Sequence, residues 1–415
     1  MLTTSLCRSI KTLAVAAPLL LASSLVRSAG AAQTPPPAPP PEAGAPQTPP
    51  APPPPPESTG GPAEAPPTTS GSGGRQLLLP DISLNGILLG HLSDDKRDQE
   101  RDKLRLDQIE IAIQGFVYPG IKLDTFAVFA EGEAIIEEAY LSVLNIGLAK
   151  LPISAQVGRR KVPFGRVNQL HPHSWLYVVQ PYVLSNLVSG ESLTGDGATL
   201  SYLLPTGKLF AQLDAGFWSL SESPEDFEAA QDPSQGIATS PGVGFADKFY
   251  TLRLLTAAPA LGGDVELAGS LAQGRGLSYS LGDEMSVRPN ILLSGLSLTY
   301  RRAGSGAARL LVRGEYVRHR QTDGAFKQTT DGYYLFADQR LDDYTSLGAR
   351  YDWSEFPFAP GLHESAVSLI GTRQLTEATY LRAQVIHGKR PGQRSFNEVW
   401  FQWVFGVGPH THNLE

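Results

Sequence analysis

The chain has a single cysteine, Cys7, which precedes the first apolar run. Every later position lacks a thiol, so disulfides and cysteine-held metals are excluded, and a lipoprotein cysteine would have to follow that run. Long hydrophobic runs are absent beyond residue 26, which excludes a bundle of membrane-spanning helices, each needing about 20 apolar residues. No basic patch marks a nucleic-acid partner. There is no HExxH motif, no phosphate-cradling glycine-rich loop and no convincing nucleophile elbow, so nothing points to an enzyme or a cofactor. Ser174 beside His173 has no discernible acidic partner, and a triad needs one.

Residues 1–32 read as an export signal. Arg8 and Lys11 form a positive start, residues 12–26 (TLAVAAPLLLASSLV) are almost wholly apolar, and Ala29-Gly30-Ala31-Ala32 offers small residues for cleavage. An uncleaved anchor is the other reading, although the run is short for a spanning helix. Residues 33–74 contain no Leu, Ile, Val or aromatic residue and cannot pack a core. Their prolines favour a disordered, extended spacer, with flexible coil at the Gly/Ser end. Such a segment cannot fold into a plug, and it would tether the chain or contact peptidoglycan. Three basic and three acidic residues precede residue 75, so the whole net charge of −7 belongs to 75–415.

In 75–415 the apolar residues recur with a period of two, which means strands with one apolar and one polar face. Ile109, Ile111 and Ile113 alternate with Gln108, Glu110 and Gln114; Leu296, Leu298 and Tyr300 alternate with Ser297, Thr299 and Arg301; Phe401, Trp403 and Phe405 close the chain in the same way. The pattern predicts sixteen strands, near 81–93, 103–117, 122–130, 135–144, 153–161, 197–204, 209–220, 248–257, 265–273, 291–302, 308–320, 332–340, 345–352, 364–376, 379–387 and 396–407. Many reach the about 9–11 residues that cross a bilayer at a tilt. All sixteen prolines after residue 74 fall outside these spans, as the missing N–H requires.

Connections after even-numbered strands are mostly short (118–120, 204–208, 302–308, 341–344, 375–379), with 145–152 and 258–264 longer. Those after odd strands are mostly long (162–196, 221–247, 274–290, 321–331, 353–363, 388–395), with 131–134 short. Aromatics at strand ends suggest interfacial girdles: Tyr118, Tyr300, Tyr344 and Tyr380 at one rim, and Trp218, Tyr250, Tyr333, Tyr351 and Trp353 at the other. A soluble β-sandwich also alternates, but not with this regular swap of connection length. The expected fold is therefore all-β, a transmembrane antiparallel β-barrel of about sixteen strands in the outer membrane, in contact with its lipid.

A barrel of 16–18 strands leaves an aqueous channel. Arg253, Arg301, Arg309, Arg313, Arg350 and Arg382 are expected to face inward, together with Glu110, Asp214, Glu266, Glu315, Asp352 and Glu398. Opposed walls of arginine and carboxylate would set a transverse field; equally, the charges could pair simply to satisfy a polar interior. The long connection 162–196 is apolar for an outer loop, with Trp175, Leu176, Tyr177, Val178, Val179 and Tyr182. Tucking it into the barrel would explain these residues.

The stretch VGRRKVPFGR (157–166), entering a long third loop of such a barrel, resembles the phosphate-selective porin O and P type family, with Pro163-Phe164-Gly165 matching its turn. The resemblance implies that Arg159, Arg160, Lys161 and Arg166 stand at the pore mouth or constriction, and that the chain trimerises. Two positions depart from it: no lysine lies between Arg166 and Asp196, and the chain ends in His410-Thr411-His412-Asn413-Leu414-Glu415 without a terminal aromatic. The pairs His171/His173 and His410/His412 would lie on opposite sides of the membrane, and no shared metal site is expected. The leading function is diffusion of small polar or anionic solutes. A structural or adhesive barrel, tethered to the cell wall through its spacer, is the second reading.

Overall fold

The computed structural model describes residues 79–96, 98, 100–147, 151–190, 192–207, 209–220, 244–281, 285–302 and 309–409. The export signal, the proline-rich segment and the His410/His412 pair lie outside the described residues.

Period-two alternation resolves into strands β1 (Asp81–Ser93), β2 (Lys103–Tyr118), β3 (Ile121–Ala130), β4 (Glu133–Val143), β5 (Ile153–Lys161), β6 (Thr194–Leu203), β7 (Phe210–Ser219), β8 (Phe245–Ala260) and β9 (Gly263–Gly276). A small hairpin of β10 (Tyr279–Leu281) and β11 (Met285–Val287) follows. Then come β12 (Asn290–Arg302), β13 (Leu310–Asp323), β14 (Phe326–Arg340), β15 (Thr345–Phe356), β16 (Ala359–Thr376), β17 (Thr379–Lys389) and β18 (Phe396–Val407). Apart from that hairpin, each strand pairs antiparallel with its sequence neighbours. β1 also pairs β18 from Leu84↔Val407 to Ser93↔Glu398, which closes a barrel of sixteen strands with no free edge. Among the described residues, no helix is long and apolar enough to cross a membrane.

The two faces are chemically opposite. Leu296, Leu335, Leu267 and Phe401 are each half or more exposed on the outside, whereas Ser297, Thr299, Gln384 and Gln402 are buried within. A belt of exposed apolar side chains around a closed barrel is the surface a hydrocarbon solvent favours.

All sixteen expected strands are present, but several run further than the apolar pattern did. The supposed outer connections 321–331 and 353–363 shrink to residues 324–325 and 357–358, because backbone pairing continues through polar residues such as Thr322↔Lys327. Likewise 258–264 tightens to a two-residue turn, Leu261-Gly262, with both φ positive at 56° and 72°. That geometry matches the twist of the flanking strands. Pro259 and Pro360 consequently lie inside strands, each next to a terminal residue, where the ladder needs no donor.

Two expected girdle residues face inward: Trp218 is fully buried and donates Nε1–H to Thr251 Oγ1 at 2.9 Å, and Tyr380 donates its hydroxyl to the His173 carbonyl. Tyr118 and Tyr344 are exposed at strand ends as expected, and Tyr250 is exposed within β8, which begins three residues earlier than the pattern predicts.

Candidate functional site

The connection between β5 and β6, residues 162–193, folds into the barrel. Its apolar residues Phe164, Val167, Tyr177, Val183 and Leu187 are almost wholly buried against the inward faces of Trp218, Phe249, Leu293, Val317 and Phe336. Burial of such side chains contributes about 1.5–3 kcal/mol each, and this answers why an outer connection is so greasy. Two 3-10 turns, Val167–Gln169 and Pro172–Ser174, and a short helix α1 (Tyr182–Leu187) give it local structure.

The stem is tied by Asn168. Its Nδ2 donates to the carbonyls of Val162 at 2.9 Å and Leu193 at 3.1 Å, and its Oδ1 accepts from Leu193 N at 2.6 Å.

The barrel wall then supplies acceptors and donors for the loop backbone, as a buried loop requires. The Glu315 carboxylate accepts from the backbone N–H groups of Arg166 at 2.8 Å and Val167 at 3.0 Å, and from the Tyr334 hydroxyl at 3.0 Å. Gln384 Oε1 accepts from Val178 N and Val179 N at 2.8 and 3.1 Å, and Glu364 accepts from Asn186 Nδ2 at 2.8 Å. Gly165 sits at φ +61°, and a Cβ there would stand 2.1 Å from Glu315 Oε2. The Pro163-Phe164-Gly165 turn therefore needs its glycine both for its backbone and for the approach to Glu315.

Beside the first turn of the loop lies a cavity of about 520 Å³, lined among others by Arg160, Arg166, Arg253, Arg301, Asp214 and Glu266. Arg166 Nη1 is 3.5 Å from Glu266 Oε1, Arg301 Nη1 is 3.9 Å from Glu266 Oε2, and Arg253 Nη1 is 3.4 Å from Asp214 Oδ2. Arg313 is buried nearby, and it acts with Arg301 and Arg253 on the Arg166 guanidinium. Burial pulls the Arg166 guanidinium down to about 10; Glu266 opposes this, and Arg313, Arg301 and Arg253 add to it. It remains a cation at neutral pH. Nε and Nη2 of Arg253, and Nε and Nη1 of Arg313, are buried donors with no hydrogen-bond partner among the described residues. Such donors are costly to leave unmade.

The expected site residues divide into three groups. Arg160, Arg166, Arg253, Arg301, Arg313 and Glu315 come together around the cavity or at the loop turn beside it. Arg350 and Arg382 face the lumen but are engaged with the loop and the wall: Arg350 donates to Asp352 Oδ2 at 2.7 Å and to the Val179 carbonyl at 2.6 Å and lies over the Tyr177 ring, while Arg382 donates to Gln402 at 3.0 Å and to the Tyr177 carbonyl at 3.4 Å. The remaining three stand elsewhere. Arg159 shares the outward face of Val157 and forms a pair with Asp196 at 2.8 Å. Arg309 is exposed just before β13. Lys161 is buried at the loop entrance, 2.8 Å from Glu137.

One cluster joins residues that the sequence named only separately, Glu110 and His171, to Glu137 and Glu138, which it did not name. His171, in the loop, enters a cage of Glu110 on β2 and Glu137 and Glu138 on β4. Its Nδ1 is 2.8 Å from Glu110 and 3.0 Å from Glu137, and its Nε2 is 2.8 Å from Glu138. Burial and Lys161 would lower the imidazole, yet Glu137 and Glu110 hold it well above the usual histidine range. Glu137 and Glu138 both point inward because the register shifts between Phe126↔Glu138 and Ala127↔Ile136, which leaves Glu137 as the extra residue of a β-bulge.

No protein family's sequence profile matches the chain. An uncharacterised protein of Aquifex aeolicus (strain VF5) is 25% identical over 372 residues, covering 80% of this chain and 75% of that protein. Among solved structures, outer-membrane expressed OmpT of Vibrio cholerae superposes with a TM-score of 0.53 at 13% identity, over 79% of this chain and 97% of its own. An in-vitro folded trimer form of that protein gives 0.50 at 12%, over 79% and 100%, and OprB of Pseudomonas putida gives 0.50 at 10%, over 79% and 94%. At these identities the likeness is one of fold, and the fold is that of outer-membrane β-barrel proteins.

Proposed function

We propose that the chain is an outer-membrane, porin-like channel for small polar or anionic solutes, with its narrowest section between the first turn of the folded-in loop and the wall carrying Arg253, Arg301 and Arg313. The observation that carries this reading is the gathering of Arg166, Arg253 and Arg301 around one cavity, with Arg313 close enough to act on Arg166 and with donors on Arg253 and Arg313 that no described residue satisfies. Low-dielectric walls concentrate the field of a few charges, so a permeating carboxylate, phosphate or chloride meets a local positive potential although the chain is acidic overall. Asp214 and Glu266 hold these arginines in place and limit how tightly an anion is retained, as conduction requires.

The exposed apolar belt supports membrane insertion, and the short-turn end, holding 118–120 and 261–262, is read as periplasmic. Assembly as a homotrimer is part of the proposal; the trimer form of a protein with this fold supports it. Phosphate selectivity is not. The loop beyond Arg166 brings no lysine to the cavity.

Planar-bilayer recording on the purified chain tests the channel. Stepwise insertion of ohmic conductances is expected, and a membrane that stays silent in the presence of correctly folded protein would refute it.

A further inference from the structure

We infer that Glu110, Glu137, His171 and His173 form a site for a zinc-type divalent cation that fastens the folded-in loop to the barrel wall. The inference goes beyond the channel reading, since it concerns the loop's attachment whatever passes beside it.

Three donor atoms, from Glu110, Glu137 and His171, lie within 4.8 Å of one another, and His173 Nδ1 lies beside the first of them. His171 Nδ1 lies 2.8 Å from Glu110 Oε2 and 3.0 Å from Glu137 Oε2, and His173 Nδ1 lies 3.7 Å from Glu110 Oε2. Glu110 is fully buried, and both imidazoles are nearly so. A tetrahedral ion with bonds of about 2.0 Å separates its ligand atoms by about 3.3 Å. The two separations from His171 Nδ1 fall within about half an ångström of that spacing, so a cation seats among Glu110, Glu137 and His171 by small shifts, and His173 moves further to complete the shell. Nδ1 of His171 carries at most one proton, yet two carboxylate oxygens approach it; a metal ion serves both at once.

The surroundings are those of a metal histidine. Nε2 of His171 is held by Glu138 Oε2 at 2.8 Å, the carboxylate–imidazole contact that fixes a ligating ring and directs its other nitrogen at the ion. Lys161 Nζ takes the far oxygen of Glu137, Oε1, at 2.8 Å and leaves Oε2 toward His171. Two imidazoles with two carboxylates favour zinc, cobalt or nickel over calcium or magnesium, which prefer all-oxygen shells.

The connectivity says what the ion would do. Glu110 lies on β2 and Glu137 at the bulge of β4, while His171 and His173 flank Pro172 at the second 3-10 turn of the loop. A bound cation therefore links loop to wall on the side opposite α1, which packs against β13, β14 and β15.

The test uses the full chain, folded in detergent, shown to be closed by its heat-shifted gel mobility, and stripped with chelator. Titration with Co²⁺ should give the visible absorption of a tetrahedral N/O site saturating at one ion per chain and displaced by Zn²⁺. Glu137→Gln and His173→Asn should weaken binding by tenfold or more, and Glu138→Gln by about 10–100-fold. His91→Asn, which removes the imidazole of the separate His91/Asp98/Glu398 cluster at the barrel rim, and His410→Asn with His412→Asn should leave binding unchanged. Should the cage variants fail to close, hydrogen exchange of residues 166–175 in the unaltered chain decides: Zn²⁺ should slow it. Absence of Co²⁺ absorption, binding lost only in the His91 or tail variants, or exchange unaffected by Zn²⁺ would each overturn the inference.

Discussion

Replacing Glu315 by Gln should release the first turn of the folded-in loop without opening the barrel. Glu315 accepts three hydrogen bonds, from Arg166 N at 2.8 Å, Val167 N at 3.0 Å and Tyr334 Oη at 3.0 Å. The two backbone donors have no second acceptor within the loop's own turn, since Val167–Gln169 starts there. Glutamine keeps one acceptor oxygen and presents an NH₂ in place of the other, so one backbone N–H loses a charge-assisted bond and faces a donor. Bonds to charged groups contribute about 1.5–3 kcal/mol, and a stranded buried donor costs a similar amount. A net loss of about 2–4 kcal/mol raises the local opening equilibrium about 30- to 1000-fold, at tenfold per about 1.4 kcal/mol.

Hydrogen-exchange mass spectrometry on peptides spanning 163–170 reads this directly. Exchange there should accelerate by that factor while β13 and β14 remain protected, because their ladder from Leu310↔Gln339 to Asp323↔Phe326 does not use the side chain. Unchanged exchange in 163–170 would mean that apolar burial alone seats the loop, and the reasoning from Glu315 would fail.

Three further outcomes are expected. Gly165→Ala should accelerate exchange over the same peptides, because it adds about 1–2 kcal/mol of left-handed backbone strain to a Cβ placed 2.1 Å from Glu315 Oε2; an unchanged rate contradicts the packing. Joint substitution of Arg253 and Arg313 by Ala should move the reversal potential in a KCl gradient toward cations, more at 0.01 M than at 1 M salt, where the screening length falls from about 30 to about 3 Å. Arg309→Ala and Arg159→Ala, at an exposed rim and on the outer face, should leave it within error. Boiled and unboiled samples should migrate differently on a denaturing gel, since a barrel closed by β1 and β18 has no edge from which to unravel; identical migration would count against closure.

Strand positions were legible because burial on one side only writes a period of two into the chain. Strand ends were not. Polar residues such as Gln321 to Asp323 carry the ladder beyond the apolar belt, where alternation no longer shows it. The same periodicity could have corrected the girdles: Trp218 stands four residues from Asp214 and Tyr380 two from Arg382, so each shares an inward face.

Three consecutive cations, Arg159, Arg160 and Lys161, carry no alternation by which to choose a face, and the pairing with β4 alone settles it: Tyr140↔Gly158 puts Arg160 inward and Arg159 outward. The loop's inward fold was visible in its run of apolar residues. The cage around His171 was not, for it depends on a bulge at Glu137 and on a loop reaching back to β2 across some sixty residues of chain.

The measurement bearing most directly on the channel reading is the zero-current potential of the unaltered protein in a tenfold KCl gradient at low ionic strength. The guanidiniums of Arg166, Arg253 and Arg301 around one cavity, with Arg313 beside them, predict a potential displaced toward the chloride equilibrium value, despite a net charge of −7 for the chain. A potential displaced toward the potassium value would mean that Asp214, Glu266 and Glu315 outweigh them at the narrowest section, and would contradict the account.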